Sequence, residues 1–472
     1  MTKTEHSPLA VVEEYELKVR LLTEHSPFEC DAWITLKNEN PDGIEKVTFY
    51  IHPELEIATV KDAQKNVLPI ETELVIYPHS YTSTARKIEI TLSNPLPSNK
   101  QERLNFCYHG WFNRSQVRSR SDYMRIDTEG TYLRGFGYSL WFPVVTRHHT
   151  DYNLSAKFKL DLDIPKDWRP LAFGNLLSET VQSERNHSVW KTPEPVRLSM
   201  VQLSAAPWQV IGTDQLKIYH LPSPESEKAA KTYADIGTYL VDFFDKHYGA
   251  GLPKQTFYFA EMDIRGGISS GNIAALPSEG FKRILNPERQ FSTYDWMGHE
   301  IIHPYVMPAI VPDAPGATMM VEPFPLYFHL PALQKRFGRP FERWFLRGRW
   351  EAYKKGLAAQ SLKDRGGLPL EKPLLDISLE ELSAYKDIFL LSDKAVLILH
   401  RLQKEVGETT FLNAVSKFLR SHRTIPATLK DFEHKITEES GTSFEGFFQR
   451  WFGTTEPLPE AWRIDDTAEE LS

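Results

Sequence analysis

The sequence predicts a multidomain α+β protein: an N-terminal antiparallel β-sandwich or saddle domain, then an α/β-to-helical domain. Three observations carry this expectation. At 472 residues the chain is too long for one compact core. Its first two hundred residues alternate apolar and polar side chains in short runs separated by turn signals. From Glu225 onward the apolar spacing changes to the three-and-four pattern of helices. The expected limits are 1–212 for the β-rich domain, 213–457 for the second domain and 458–472 for a C-terminal tail.

Strands are predicted at 15–21, 30–36, 46–52, 87–92 and 156–162, where side chains alternate with period two. Between them stand turn signals such as Asn40-Pro41, Pro41-Asp42-Gly43 and Pro97-Ser98-Asn99. Around 208–219 the strands give way. A helix is expected over 225–248, with Tyr233, Ile236, Leu240, Phe243 and Phe244 on one face and Gly249 as its stop. A short apolar strand follows at 256–260, and then a glycine-rich turn from Gly266 to Asn272. That turn lacks a lysine and opens no predicted helix, so it is no phosphate cradle; it is read either as a turn lining a substrate cleft or as a purely structural turn. Later helices are predicted at 390–406 (stopped by Gly407), 408–421, 429–439 and 443–451. Trp344 and Trp350 have the spacing of packing residues on a helix face. The acidic end, 465–472, is expected to fray.

Composition excludes several classes of function. With 41% hydrophobic and 12% aromatic residues the chain is an ordinary globular protein and not a disordered one. A net charge of −8 gives no electrostatic reason to expect nucleic acid as a partner. Arg114, Arg118, Arg120 and Arg125 are a local exception, read as a solvated loop. Cys30 and Cys107 are too few for a disulfide framework and lack metal-ligand spacing, so a reducing compartment is expected. The first fourteen residues carry no apolar core of a secretory leader, and no run approaches the roughly twenty apolar residues that span a bilayer. A cytoplasmic protein without a membrane partner is the expectation.

The chemistry is concentrated in His299-Glu300-Ile301-Ile302-His303, an HExxH sequence. On a helix, residues four apart share one face, so the two imidazoles can aim at one point, and imidazole nitrogen suits zinc. Glu300 sits beside the first histidine, where it can reach a water at the metal without occupying the metal itself. A third ligand from a distant segment would leave one tetrahedral position open, as catalytic zinc requires. Tyr294, Trp296, Ile301, Ile302 and Val306 make the flanks apolar, as befits a buried helix. Another carboxylate, Glu322, follows His303 after eighteen residues. Pro304, Pro323 and Pro325 predict interruptions of helix at the second histidine and at Glu322. A second cluster, His148, His149 and Asp151, is less apt, because adjacent residues point to opposite sides of a strand.

HEIIH with Glu322 resembles the gluzincin pattern of the M1 (aminopeptidase N / leukotriene A4 hydrolase-like) zinc metallopeptidases. Further similarity lies in 225–253, ending in His247-Tyr248-Gly249 and Gly251-Leu252-Pro253, and in 393–411, with Lys394 and Gly407-Glu408-Thr409-Thr410-Phe411. Phe447-Phe448-Gln449-Arg450-Trp451 is similar to the family's close of the catalytic domain. The resemblance covers most of 1–457, and the large C-terminal helical domain of longer relatives is expected to be absent. It implies a thermolysin-like (gluzincin) catalytic domain, one Zn²⁺ per chain held by His299, His303 and Glu322, Glu300 as general base, and a peptide substrate. The family's exopeptidase motif falls on 268–272, where Asn272 matches and Gly271 replaces the glutamate that grips a free α-amine. The family's catalytic tyrosine falls at Ser392, with Tyr385 as the candidate replacement. These two departures keep open a zinc-binding pseudo-peptidase or peptide-binding module of the same fold. An endopeptidase sharing the zinc-water chemistry is a third possibility.

Overall fold

The computed structural model describes residues 10–77, 84–111, 124–134, 139–145, 154–249, 256–262, 268–270, 272–306, 311, 314–360, 372–379, 389–423 and 425–463. The chain divides into two compact units. The first gathers Met1–Ile211, Lys217–Ala230 and Tyr258–Phe281; the second gathers Gly212–Leu216, Lys231–Phe257 and Lys282–Ser472.

The first unit is built on β1 (Val11–Leu21), β2 (Phe28–Lys37), β3 (Ile44–Ile51), β4 (Leu55–Lys61), β5 (Ile70–Ile76), β6 (Thr84–Leu96) and β7 (Gln101–Gly110). These are joined by β8 (Met124–Asp127), β9 (Gly130–Leu133), β10 (Ser155–Pro165), β11 (Arg169–Ala172), β12 (Asn175–Gln182) and β13 (Arg185–Lys191). The largest sheet runs β12-β13-β10-β1-β2-β7-β4, and a three-stranded sheet runs β3-β6-β5. Period-two alternation explains both. β1 buries Tyr15, Leu17, Val19 and Leu21, and β2 buries Phe28, Cys30, Ala32, Ile34 and Leu36. Side chains from both sheets share one core, in which Phe49 of β3 meets Phe106 of β7 edge-on at 4.9 Å. Tyr15 stacks on Phe158 at 4.6 Å and donates its hydroxyl to the Pro143 carbonyl, so no polar atom of that ring is stranded.

One pairing in this sheet departs from the antiparallel expectation. β1 and β10 run parallel, from Glu14 opposite Lys157 to Arg20 opposite Asp163. Parallel neighbours need a long connection, and the whole of β2 to β9 provides it. A further sheet orders Gln209–Gly212, Leu216–His220, Phe257–Met262, Ile273–Pro277 and Ile268–Ser270; its third and fourth strands are also parallel.

Helices dominate the second unit. α1 (Pro224–His247) begins in the first unit and carries Glu225 and Glu227 in its first turn and Lys246 and His247 in its last, matching the helix dipole. It stops where expected. A Cβ at Gly249 would lie 2.6 Å from the Asp245 carbonyl oxygen, so only glycine fits there. α2 (Ser278–Lys282), a single short turn, belongs to the first unit except for Lys282, and α3 (Gln290–Val306), α4 (Pro323–Phe328), α5 (Leu330–Phe337) and α6 (Arg339–Gln360) follow it in the second. The later helices are Phe389–Val406, Glu408–Ser421, Leu429–Ser440 and Glu445–Trp451. Gly407, at φ +86°, turns the chain between the first two of these. Thr428 and Asp431 close a capping box at the start of the third. Beyond the last helix the chain still packs: the Leu458 amide donates to the Tyr353 hydroxyl at 3.0 Å, and the Trp462 ring lies 4.6 Å from that of Trp451.

No helix among the described residues is long and apolar enough to cross a membrane.

His52, 6% exposed in the first unit, sets an acid limit on stability. Burial pushes its pKa down from 6.5 to about 3, while the unfolded chain titrates near the ordinary value. Between those values the unfolded state binds the extra proton, so stability falls as pH drops below 6.5. The expected slope from this residue is about 1.4 kcal/mol per pH unit. In His52→Asn, whose amide oxygen can still accept from the Glu54 amide, urea unfolding should lose that part of its acid sensitivity. Equal acid sensitivity in variant and wild type would contradict this assignment.

Candidate metal centre

α3 presents the two histidines one turn apart, as the spacing demands. It begins at Gln290, well ahead of His299, and runs on through Pro304 to Val306. The predicted interruption is small because Pro304 lies in the last turn, where it removes only the amide that would bond the Glu300 carbonyl. Glu322 is the N-cap residue of α4, at φ −124° and ψ −50°. Pro323 occupies the first helical position, where its missing amide costs nothing and its fixed φ starts the helix. The prolines therefore define where the carboxylate emerges from the chain.

These elements bring three ligand atoms together. His299 Nε2 lies 3.1 Å from His303 Nε2 and 3.5 Å from a Glu322 carboxylate oxygen. Among the described residues, this is the group of histidine, cysteine and acidic side chains placed to hold a metal ion. Zinc with bonds of about 2.0–2.1 Å in tetrahedral geometry separates its ligand atoms by roughly 3.3 Å. The observed separations bracket that value, so the donor set fits zinc in both chemistry and size. Burial, then repulsion from His303, His329 and Arg349, holds the His299 pKa well below its ordinary value. The ring is thus kept in the neutral form that a metal needs. Glu300, the next residue along α3, is 8% exposed.

Other sequence-predicted residues are distributed differently. Asn272 precedes the strand Ile273–Pro277 in the first unit, half-buried, and its carbonyl accepts from the Tyr258 amide at 2.8 Å. Gly271 and Tyr385 lie outside the described residues, as do His148, His149, Asp151, Arg114, Arg118 and Arg120. Ser392 stands in the helix Phe389–Val406, 4% exposed, with its hydroxyl buried and without a hydrogen-bond partner among the described residues. Trp350 is buried, and Trp344 packs on Phe291 and Phe341, in keeping with their spacing.

Behind the ligands lies a polar chain that sequence reasoning missed. His329, fully buried, directs Nε2 to an Asp295 oxygen at 2.8 Å and Nδ1 to the Pro325 carbonyl at 2.9 Å. Arg349 donates to the other Asp295 oxygen at 3.3 Å and to Asp393 at 3.2 Å. Burial lifts the Asp393 carboxyl to about 6, against the opposing pull of Arg349. Asp295 had a signal, since it stands one turn before His299 on the same helix face. The other three had none.

Gly298 shows how tightly this layer is packed. A Cβ there would meet His329 Cδ2 at 2.9 Å and Leu333 Cδ1 at 3.3 Å, and both belong to well-buried side chains. Gly298→Ala is therefore expected to destabilise the protein by about 1–3 kcal/mol despite its better helix propensity. Thermal unfolding checks the sign; a more stable variant would contradict the packing argument.

The sequence matches no protein-family profile and no curated protein sequence. Solved structures do match. An M1 zinc metallopeptidase from Deinococcus radiodurans aligns at TM-score 0.64 and 16% identity, covering 99% of this chain and 98% of that one. A mutant of the Deinococcus radiodurans enzyme bound to a Tyr-Ser-Ala substrate aligns at TM-score 0.65 and 15% identity, covering 96% of each chain. A mutant two-domain M1 zinc metallopeptidase bound to L-tryptophan aligns at TM-score 0.66 and 15% identity, again covering 96% of each. The chain thus has the fold of two-domain M1 zinc metallopeptidases, a sheet-rich N-terminal part followed by a helical C-terminal part.

Proposed function

We propose that this protein is a zinc-dependent metallopeptidase of aminopeptidase-like type, hydrolysing peptide bonds with one Zn²⁺ held by His299, His303 and Glu322. One observation carries the reading: two imidazole nitrogens and a carboxylate oxygen, drawn from α3 and the start of α4, converge at zinc-ligand separations. The fold shared with M1 zinc metallopeptidases supports it. Bound zinc would supply Lewis acidity, lowering the pKa of water toward neutrality and polarising a carbonyl. Glu300 is the general base in this scheme. It takes the proton from the attacking water and passes it to the leaving amine, and its burial limits exchange of that proton with bulk solvent. Two structural neighbours hold a tripeptide and an amino acid, which supports short peptides as the substrate class. Free thiols at Cys30 and Cys107 suit a reducing setting, and the cytoplasm is the proposed place of action.

Metal analysis joined to a peptide-library assay tests the proposal. One zinc per chain is expected, with hydrolysis that a chelator abolishes and added zinc restores. Comparing N-acetylated with free-amine peptides separates aminopeptidase-like cleavage, which requires the free amine, from an endopeptidase, which does not; Gly271, which offers no carboxylate to that amine, makes the comparison necessary. Zinc bound without turnover of any peptide would replace the peptidase with a peptide-binding module. Absence of zinc would end the proposal.

A further inference from the structure

We infer that His329 is a positioning residue for the metal centre: its hydrogen bond to Asp295 ties α4 to α3 and thereby sets the distance between Glu322 and the two histidines. The inference rests on the zinc reading above. Two of the three ligands, His299 and His303, come from α3, and the third, Glu322, is the N-cap of α4. No ligand bridges those helices covalently, so their separation must be fixed by contacts between them. His329 ends α4, and its ring reaches back to α3. There Nε2 meets the Asp295 carboxylate one turn ahead of His299, and the ring edge seats on Gly298, where a Cβ would lie 2.9 Å from His329 Cδ2 and force a shift. Its other nitrogen faces the Pro325 carbonyl within α4 itself. One imidazole therefore holds both helices by directional bonds.

The strut is braced from behind. Arg349 occupies the second Asp295 oxygen and is held in turn by Asp393, so the carboxylate has little freedom to rotate away. The first ligand depends on the same helix for its orientation. Metal-bound imidazoles ordinarily donate their second nitrogen to an acceptor, and for His299 the acceptor at hand is the Pro325 carbonyl of α4, which His329 Nδ1 also faces. The His329 ring, 6.3 Å away and nearly perpendicular, is among the side chains that limit its tilt. Orientation at this centre thus passes through a histidine that need not touch the metal.

Zinc affinity, measured by competition with a chelating dye on the full chain, tests this without reference to catalysis. His329→Leu keeps a similar volume and removes both bonds; affinity should fall about 10- to 100-fold. His329→Gln places an amide nitrogen near the position of Nε2, whereas His329→Asn places one near Nδ1. Gln should recover most of the affinity and Asn little, because the bond between helices is the one that matters. As a control, Tyr353→Phe removes a buried hydroxyl far along α6 and should lower thermal stability while leaving zinc affinity unchanged. Wild-type affinity in His329→Leu, or better recovery by Asn than by Gln, would overturn the inference while leaving the zinc site intact. A wild-type protein that binds no zinc would overturn both.

Discussion

Glu300→Gln should lose hydrolysis almost completely while retaining one zinc per chain. Glutamine matches glutamate in volume and shape, so a side chain that is 8% exposed can be exchanged without opening a cavity. What it cannot do is accept a proton. General-base contributions of this kind are worth about 10²–10⁴ in rate, and the loss should appear in kcat on the best library peptide. Zinc content should not change, because the three converging ligand atoms belong to other residues. A variant that loses zinc along with activity would show Glu300 acting as a ligand. A variant of undiminished activity would remove it from the reaction.

The second large effect is expected for His303→Ala. Here a ligand is lost, and the fall in zinc affinity should exceed the 10- to 100-fold typical of outer partners. The consequence for stability depends on metal. At a zinc concentration about 100 times the wild-type Kd, binding stabilises the folded chain by roughly 2.7 kcal/mol, and the variant should forfeit nearly all of it. In the presence of chelator the two proteins should differ much less. The wild type then keeps the hydrogen bond between two half-buried ring nitrogens 3.1 Å apart, a contact worth only about 0.5–1.5 kcal/mol. Thermal unfolding with zinc and with chelator, on both proteins, separates these terms. A zinc-dependent shift of equal size in both would exclude His303 from the centre.

Much of this architecture was legible because it rests on local periodicity. The buried faces of β1 and β2, the stop of α1 at Gly249 and the turn at Gly407 each follow from side-chain spacing or from a φ that only glycine accepts. What escaped was non-local. β12 exposes every residue along a sheet edge, so it shows no alternation to read. The parallel partnership of β1 with β10 depends on sheet order, which no local pattern encodes. The candidate ligands were legible for the same local reason, an i to i+4 histidine pair with a spaced carboxylate. Prolines around them were misleading, since Pro323 at the first position of α4 starts a helix where the residue pattern predicts an interruption. The chain from His329 through Asp295 and Arg349 to Asp393 draws on four separate helical segments, and only the fold unites them.

The most direct test of the metal centre is an anomalous-scattering map of zinc-loaded crystals recorded at the zinc absorption edge. The account predicts one strong peak per chain, within about 2.2 Å of His299 Nε2, His303 Nε2 and a Glu322 carboxylate oxygen. A peak bound elsewhere on the chain, or none between these side chains, would contradict it.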